Sequence, residues 1–408
     1  MKNSKEKKRK KWIRFRHNVV RYLAFAVIYP YSKVKYGLHI KKLESGSERQ
    51  YLVLYNHQTA FDQFFVGMPF RNHLYYVASE DIFSNGFVSK LIKFLVAPIP
   101  IKKQTTDVRA IMTCLRVAKE GGSIAIAPEG NRTFSGKTEY MSPSIVPLAR
   151  KLGLPIALYK IEGGYGVHPR WSDVVRGGKM FCGVSRIVEP EEYKDLSDEE
   201  LFALIKDGLY VNEANSDATF KHANKAEYLE RALYVCRKCG LSDFESRGNK
   251  FTCKKCGESV EYTEGKRFVF EDGTPFEFEY VADWYDYQNK YISELDIAPY
   301  YDTVISKDKL SVKEVILYKK KVPVFKSADI SLFANKIVLN AGEEALEMPF
   351  DEISSLTILG KNKLNVYFGG KIYQLKGEKR FCAVKYVNLY NKYLNVKKGE
   401  PSSTYLGL

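Results

Sequence analysis

The sequence predicts an α/β protein with a β-rich second half, and three observations carry that prediction. Short apolar runs alternate with helical stretches between residues 51 and 161, four cysteines crowd residues 236–256, and strand-like runs parted by glycine turns fill 312–375. Alternation marks layered α/β packing, clustered cysteine pairs a small cross-linked β unit, and glycine-parted runs an antiparallel sheet. The chain has 408 residues, 45% of them hydrophobic, enough for two or three ordinary cores.

The first element in order is an N-terminal helix. Residues 1–16 carry nine cations (Lys2, Lys5, Lys7, Lys8, Arg9, Lys10, Lys11, Arg14 and Arg16) opposed only by Glu6, within a whole-chain balance of 64 Lys plus Arg against 48 Asp plus Glu, net +16. Such an excess calls for an anionic partner: lipid headgroups, nucleic acid or an acidic carrier. The apolar stretch 19–29 follows, interrupted by Arg21 and stopped by Pro30. A spanning helix needs about 20 apolar residues, so this one is too short. No small-residue cleavage site follows it, and Lys33, Lys35, Lys41 and Lys42 do. Residues 1–35 are expected to form a basic tail and an amphipathic helix lying in the membrane interface, a peripheral attachment to the phospholipid surface at the cytoplasmic face.

Strands are expected at 51–55, 74–78, 123–127 and 155–161, and helices at 63–68, 86–96, 108–119 and 145–151. Ser197-Asp198-Glu199-Glu200 has the form of a capping box opening a helix through Leu201, Phe202, Ile205 and Leu209. The polar segment 211–224 reads as a connecting loop, which closes an α/β domain over 36–228.

Two clusters in this domain carry chemistry. Asn56-His57-Gln58-Thr59-Ala60-Phe61-Asp62 leaves the C-terminal end of the first strand, where active-site groups of α/β sheets gather. On a regular helix residues five apart lie roughly 140° apart, so a His57–Asp62 contact requires His57 to precede the helix. Thr59-x-x-Asp62 has capping-box form, which would turn the carboxylate back onto the imidazole Nδ1–H and leave Nε2 as a base. The bland alternative is that Asp62 only caps the helix. The strand at 123–127 runs into Pro128-Glu129-Gly130-Asn131-Arg132-Thr133, where Gly130 brings backbone close to a ligand and Arg132 offers a fork for phosphate. Between the clusters, Lys102 and Lys103 stand just past a short apolar run.

On these residues the chain resembles the 1-acylglycerol-3-phosphate acyltransferases, a glycerolipid acyltransferase family. Residues 56–62 match its N-H-x-S-x-x-D block, 128–133 its E-G-x-R block, 99–103 its intermediate block and Leu154-Pro155-Ile156-Ala157-Leu158 its fourth, over about residues 15–215. The resemblance implies that His57 deprotonates an acceptor hydroxyl, Asp62 orients the imidazole, and the oxygen attacks an acyl thioester directly. It implies acyl-CoA or acyl carrier protein as donor and a lysophospholipid as acceptor, most simply 1-acyl-sn-glycerol 3-phosphate, giving phosphatidic acid. Arg132, with Lys102 or Lys103, would hold the acceptor's phosphate, and Glu129 would orient Arg132 or the acceptor. Three departures bear on the acceptor: Thr59 replaces Ser, Lys102-Lys103 replaces an acidic residue then Arg, and 139–144 lacks the family's basic segment. No G-x-S-x-G elbow is present, Gly163-Gly164-Tyr165-Gly166 reads as a tight turn, and His17, His39, His73, His168 and His222 receive no role.

Cys236-Arg237-Lys238-Cys239-Gly240 and Cys253-Lys254-Lys255-Cys256-Gly257 are two C-x-x-C-G knuckles, which specify one structural zinc ion held by four thiolates. The alternative is a redox dithiol, although such pairs usually come singly. The pattern is similar to zinc ribbons, whose partners include nucleic acid and protein. Residues 268–278 alternate around Asp272-Gly273 as a hairpin, and Trp284, Tyr285, Tyr287 and Tyr291 form a helix stripe that reads as packing, which completes a unit over 229–299. Strands at 312–317, 322–326, 330–332, 336–339, 355–359, 364–368 and 371–375, with turns such as Gly360-Lys361-Asn362, and a closing helix at 378–394 make a β-rich domain over 300–408. Its order is similar to pleckstrin-homology or GRAM-like domains. The rival function is an inactive membrane-associated scaffold that binds nucleic acid or protein through the ribbon.

Overall fold

The computed structural model describes residues 11–101, 107–316 and 319–408, and all side chains there except those of Glu80 and Asn215. The basic tail to residue 10, Lys102 and Lys103 lie outside the described residues. The first half comprises α1 (Phe15–Tyr36), β1 (Leu38–Ile40), β2 (Leu52–Tyr55), α2 (Asp62–Val66), β3 (Leu74–Ser79), α3 (Phe87–Val96), β4 (Ile99–Ile101), α4 (Val108–Lys119), β5 (Ser123–Ile126), α5 (Ile145–Leu152), β6 (Ile156–Glu162), α6 (Gly164–Val167), β7 (Met180–Val188), α7 (Pro190–Tyr193) and α8 (Asp198–Leu209). The seven strands form one sheet in the order β1-β7-β6-β2-β5-β3-β4, with β6 and β7 its one antiparallel pair. Because β2 and β5 are parallel neighbours (Leu52 opposite Ile124, Leu54 opposite Ile126), the loops after them emerge side by side on one rim.

The expected capping box on α8 forms, with Ser197 accepting from Glu200 N–H and Glu200 reaching back to Ser197 N–H. The N-terminal helix differs from expectation, since it runs through Pro30 to Tyr36 rather than stopping. An interior proline removes one backbone hydrogen bond. Here the helix is pinned on both sides of it, by buried His17 and Arg21 before and buried Ser32 and Tyr36 after. Its burial is inverted: that stripe is largely polar, while Phe15, Leu23, Val27 and Val34 are 67–90% exposed. Arg21 donates to the carbonyls of Gly67 and Phe70, and His17 Nδ1 meets the Tyr75 hydroxyl at 3.0 Å. Beside α1, α3 turns Phe87, Val88, Leu91 and Phe94 outward within one stripe and buries Ser89. Among the described residues no helix is long and apolar enough to cross a membrane.

The middle segment adds β8 (Val235–Cys236), β9 (Gly240–Leu241), β10 (Phe244–Arg247), β11 (Lys250–Cys253), β12 (Ser259–Tyr262), β13 (Arg267–Val269), β14 (Pro275–Tyr280) and α9 (Val281–Glu294). Strands β10–β14 form a consecutive antiparallel sheet, with β13 and β14 paired around the Asp272-Gly273 turn. Trp284 packs its ring on Phe251, Phe268 and Phe276, as the aromatic stripe led one to expect. The last segment is β15 (Ser306–Glu314), β16 (Val322–Leu332), β17 (Lys336–Ala341), β18 (Glu344–Pro349), β19 (Ile353–Leu359), β20 (Lys363–Phe368), β21 (Lys371–Gly377) and α10 (Ala383–Lys397), its seven-stranded sheet ordered β18-β17-β16-β15-β21-β20-β19. The two expected strands at 322–326 and 330–332 are one strand with bulged pairing to β15. A single core joins the middle and last segments and takes in Phe134, Tyr165 and Trp171 from the first.

Candidate active site and metal centre

His57 lies in the loop between β2 and α2, and Asp62 opens α2 fully buried. Asp62 Oδ2 lies 2.7 Å from His57 Nδ1. The same carboxylate accepts from the N–H groups of Gln58 and Thr59 at 2.7 and 2.9 Å and from the Thr59 hydroxyl at 2.6 Å. Gln58 N–H and Thr59 N–H donate to the same Oδ2, so Nδ1 is the ring nitrogen that donates its proton to it and Nε2 is the basic nitrogen. The local mechanism corrects the capping-box expectation: the helix begins at Asp62, and Thr59 donates to the carboxylate instead of capping. The His57 side chain keeps 24% of its surface exposed, and no described residue hydrogen bonds to its Nε2. Burial lowers its pKa below 6.5, Asp62 opposes that shift, and Arg132 and Arg170 add to it. The neutral imidazole therefore prevails at neutral pH.

Glu129 is buried at the end of β5 and accepts from the His57 backbone N–H at 2.8 Å. Of the two expected roles, orienting Arg132 is not seen, because the Glu129 carboxyl meets the His57 loop and not the Arg132 guanidinium. Burial pushes the Glu129 carboxyl up to about 8, against the two backbone N–H groups of His57 and Glu139 that favour its anion. Gly130 takes φ +67°, a conformation that favours glycine, with open space where a Cβ would stand. Thr133 N–H donates to the His57 carbonyl at 3.2 Å, tying the two loops together. Arg132 has a buried Nη1 with no hydrogen-bond partner, and Asp62 is the carboxylate that favours its charge. His57, Asp62, Glu129, Gly130 and Arg132 are thus brought together.

Several supports were not visible in the sequence. Asn56 exchanges two hydrogen bonds with the backbone of Ile161 on β6, at 2.8 and 2.7 Å, which anchors the start of the His57 loop. Gln58 bonds Glu213 Oε1 at 3.0 Å and accepts from Tyr165 N–H at 3.1 Å. Arg170, 2% exposed, donates to the Arg132 carbonyl at 2.8 Å and, across to the last segment, to the Gly360 carbonyl at 2.8 Å. No local spacing announces partners that far apart in the chain.

The four knuckle cysteines converge with all sulfurs within 4.8 Å of one another, arranged to hold a metal ion. Cys236 and Cys256 Sγ are 3.7 Å apart. A tetrahedron with metal–sulfur bonds of about 2.3 Å has edges of about 3.8 Å, so the donor set fits such a centre. Gly240 and Gly257 take φ of +67° and +76° after each second cysteine, and Glu258 pairs with Arg237 and Lys238 beside the cluster.

Residues 37–158 match the model of the Acyltransferase family. The chain is also similar to the solved 1-acyl-sn-glycerophosphate (LPA) acyltransferase PlsC from Thermotoga maritima, at 23% identity and a TM-score of 0.39, over 48% of this chain and 80% of that one. No curated protein matches the chain.

Proposed function

We propose that the protein transfers a fatty acyl group from acyl-CoA or acyl carrier protein to the free hydroxyl of a lysophospholipid, with 1-acyl-sn-glycerol 3-phosphate as the acceptor and phosphatidic acid as the product. The observation that carries the reading is the 2.7 Å bond between His57 Nδ1 and buried Asp62, which leaves Nε2 basic and exposed beside Arg132. His57 Nε2 takes the acceptor's hydroxyl proton, the oxygen forms a bond to the thioester carbonyl carbon, and the carbon–sulfur bond breaks. The departing thiolate takes the proton back from the imidazolium. General base catalysis of this kind supplies about 10²–10⁴-fold, and positioning supplies more.

In this reading Arg132 and Gly130, with Lys102 or Lys103, bind the acceptor's phosphate, and Glu129 sets the His57 loop. The domains are 36–228 for transfer, 229–299 for the ribbon and 300–408 for the pleckstrin-homology/GRAM-like unit. Zinc fills the four-cysteine site and, with four thiolates and no open position, is structural. Residues 1–35 and the outward stripe of α3 seat the protein peripherally in the cytoplasmic membrane surface, which accounts for the inverted burial of α1.

Purified protein in lipid vesicles, offered labelled acyl-CoA or acyl carrier protein and a panel of lysolipids, should acylate 1-acylglycerol 3-phosphate. His57→Ala should abolish that transfer. Equal transfer by the variant would overturn the mechanism, and no transfer to any acceptor would favour the scaffold reading.

A further inference from the structure

The turn between β19 and β20, Gly360-Lys361-Asn362, enters the acyltransferase half just behind the Arg132 loop. Arg170 donates to Gly360 O at 2.8 Å, to Ile358 O at 3.5 Å and to Arg132 O at 2.8 Å, and its guanidinium lies 4.3 Å over the Phe134 ring. Lys361 Nζ donates to the Ser172 carbonyl and to Asp173 Oδ1 at 3.0 Å, and stands 3.5 Å from His168 Nε2. The turn is itself fixed, since Asn362 donates to the carbonyls of Gly377 and Glu378 at 2.9 and 3.0 Å.

The charges in this region do not balance. Asp173 is shared between Lys361 and the buried Arg231. Arg170 is wholly buried, and all its hydrogen bonds go to backbone carbonyls. Arg132 has a buried, unpartnered Nη1, and Asp62, the carboxylate that favours its charge, makes its hydrogen bonds to His57, Gln58 and Thr59 instead. Burying a guanidinium without a carboxylate is expensive, and placing two together is more so. A phosphate monoester, with a charge of about −1.5 to −2 at neutral pH, would supply both the missing hydrogen-bond acceptor and the missing charge.

We infer that the last segment completes the anion site of the acyltransferase half: Arg132 contacts a phosphate monoester directly, and Arg170 and Lys361 stand behind it as an electrostatic wall built across the two segments. This rests on the transfer reading for the identity of the lipid, and it extends that reading by making residues 358–362 part of substrate recognition rather than of an independent recruiting module. Two sources offer the same chemistry, the acceptor's glycerol phosphate and the 3′-phosphate of a CoA donor.

The test uses the full chain with Lys361→Gln, Lys361→Arg and, as a matched charge control on exposed surface of the same segment, Lys319→Gln. Steady-state KM is read for 1-acylglycerol 3-phosphate, for neutral monoacylglycerol and for the donor. In parallel, Kd for 1-acylglycerol 3-phosphate is read in a His57→Ala background. Lys361→Gln should raise KM and Kd for the phosphate lipid roughly fivefold, with Lys361→Arg restoring most of it and Lys319→Gln having no effect. A rise confined to the KM for acyl-CoA would support the site and assign it to the donor's phosphate. Equal losses on the phosphate and neutral acceptors would overturn the inference, since they are what a simple clamp between segments produces. Transfer that proceeds with KM and Kd unmoved in Lys361→Gln also overturns it and leaves the transfer reading intact. Absence of all transfer, with Lys361-dependent binding of the phosphate lipid, retains the site and removes the reaction.

Discussion

Replacing Asp62 with asparagine separates the carboxylate's charge from its geometry. Oδ2 accepts from His57 Nδ1, Gln58 N–H and Thr59 N–H, whereas Oδ1 accepts from the Thr59 hydroxyl and, more closely, Thr59 N–H. The asparagine oxygen therefore takes the Oδ2 position, where Thr59 N–H still reaches it at 3.0 Å, and its NH₂ gives up the second Thr59 N–H contact while the Thr59 hydroxyl rotates to accept from it. The imidazole tautomer and the loop survive, and the negative charge does not. An imidazolium about 4 Å from a carboxylate gains about 4 kcal/mol at an effective dielectric of about 20. Losing that in the transition state slows transfer by roughly 10³-fold. The charge also holds the His57 pKa up against burial, so the acid limb of the rate profile should move to lower pH in Asp62→Asn. The assay is single-turnover acyl transfer across pH, with circular dichroism melts to verify the fold. A loss under about tenfold in a folded Asp62→Asn protein would refute the claim that the carboxylate charge stabilises the imidazolium.

Three other outcomes follow from particular contacts. Glu129 ordinarily titrates at 4.5 and is raised by burial to about 8, so the folded state keeps a proton that the unfolded state releases. Its contribution to stability is fully present below pH 4.5 and is lost as pH rises through 8. The melting midpoint should therefore fall between pH 5 and 8 in wild type relative to Glu129→Gln, and parallel pH curves would count against it. Chelator treatment that empties the proposed four-cysteine metal site should lower the melting midpoint and shift Trp284 fluorescence to the red, because Trp284 Nε1 donates to Val235 O at 2.8 Å next to Cys236. Unchanged fluorescence after metal loss would separate the cluster from the fold. Phe87→Ser, Leu91→Ser and Phe94→Ser together strip the outward stripe of α3, and each buried apolar side chain contributes about 1.5–3 kcal/mol. Vesicle sedimentation should drop at least 100-fold, and undiminished binding would remove α3 from the membrane surface.

What the sequence disclosed of the site was whatever a short stretch of backbone determines by itself. His57 and Asp62 stand within one turn of chain, and C-x-x-C-G is a knuckle whatever surrounds it, so spacing sufficed for both. The parallel pairing of β2 with β5 then brought the two rims together as alternation of strands and helices implied. The bond from Glu129 to the His57 loop, 72 residues away, had no local signal, and within the short stretch itself Thr59 donates to Asp62 where a cap was expected. Strand boundaries failed for a related reason. β15 starts at Ser306 because Ser306 and Leu310 turn inward between lysines, a pattern that composition hides. β18 was missed because Glu344 and Glu347 dilute its apolar residues.

The N-terminal helix shows why periodicity alone also misplaces an interface. Arg21, read from sequence as an interruption of an apolar run, is buried with its Nη2 donating to the carbonyls of Gly67 and Phe70, so with His17, Ser32 and Tyr36 it docks the helix. With the cation spent inward, the apolar residues around it are free to face away, and Phe15, Leu23, Val27 and Val34 do so. In water that arrangement exposes what the hydrophobic effect would bury. A soluble helix would be selected the other way round, with His17, Arg21 and Ser32 outside. The inversion therefore argues for a non-aqueous surface over α1 more strongly than the hydrophobicity of residues 19–29 does. It also puts the constraint on Arg21 and not on the length of the apolar run.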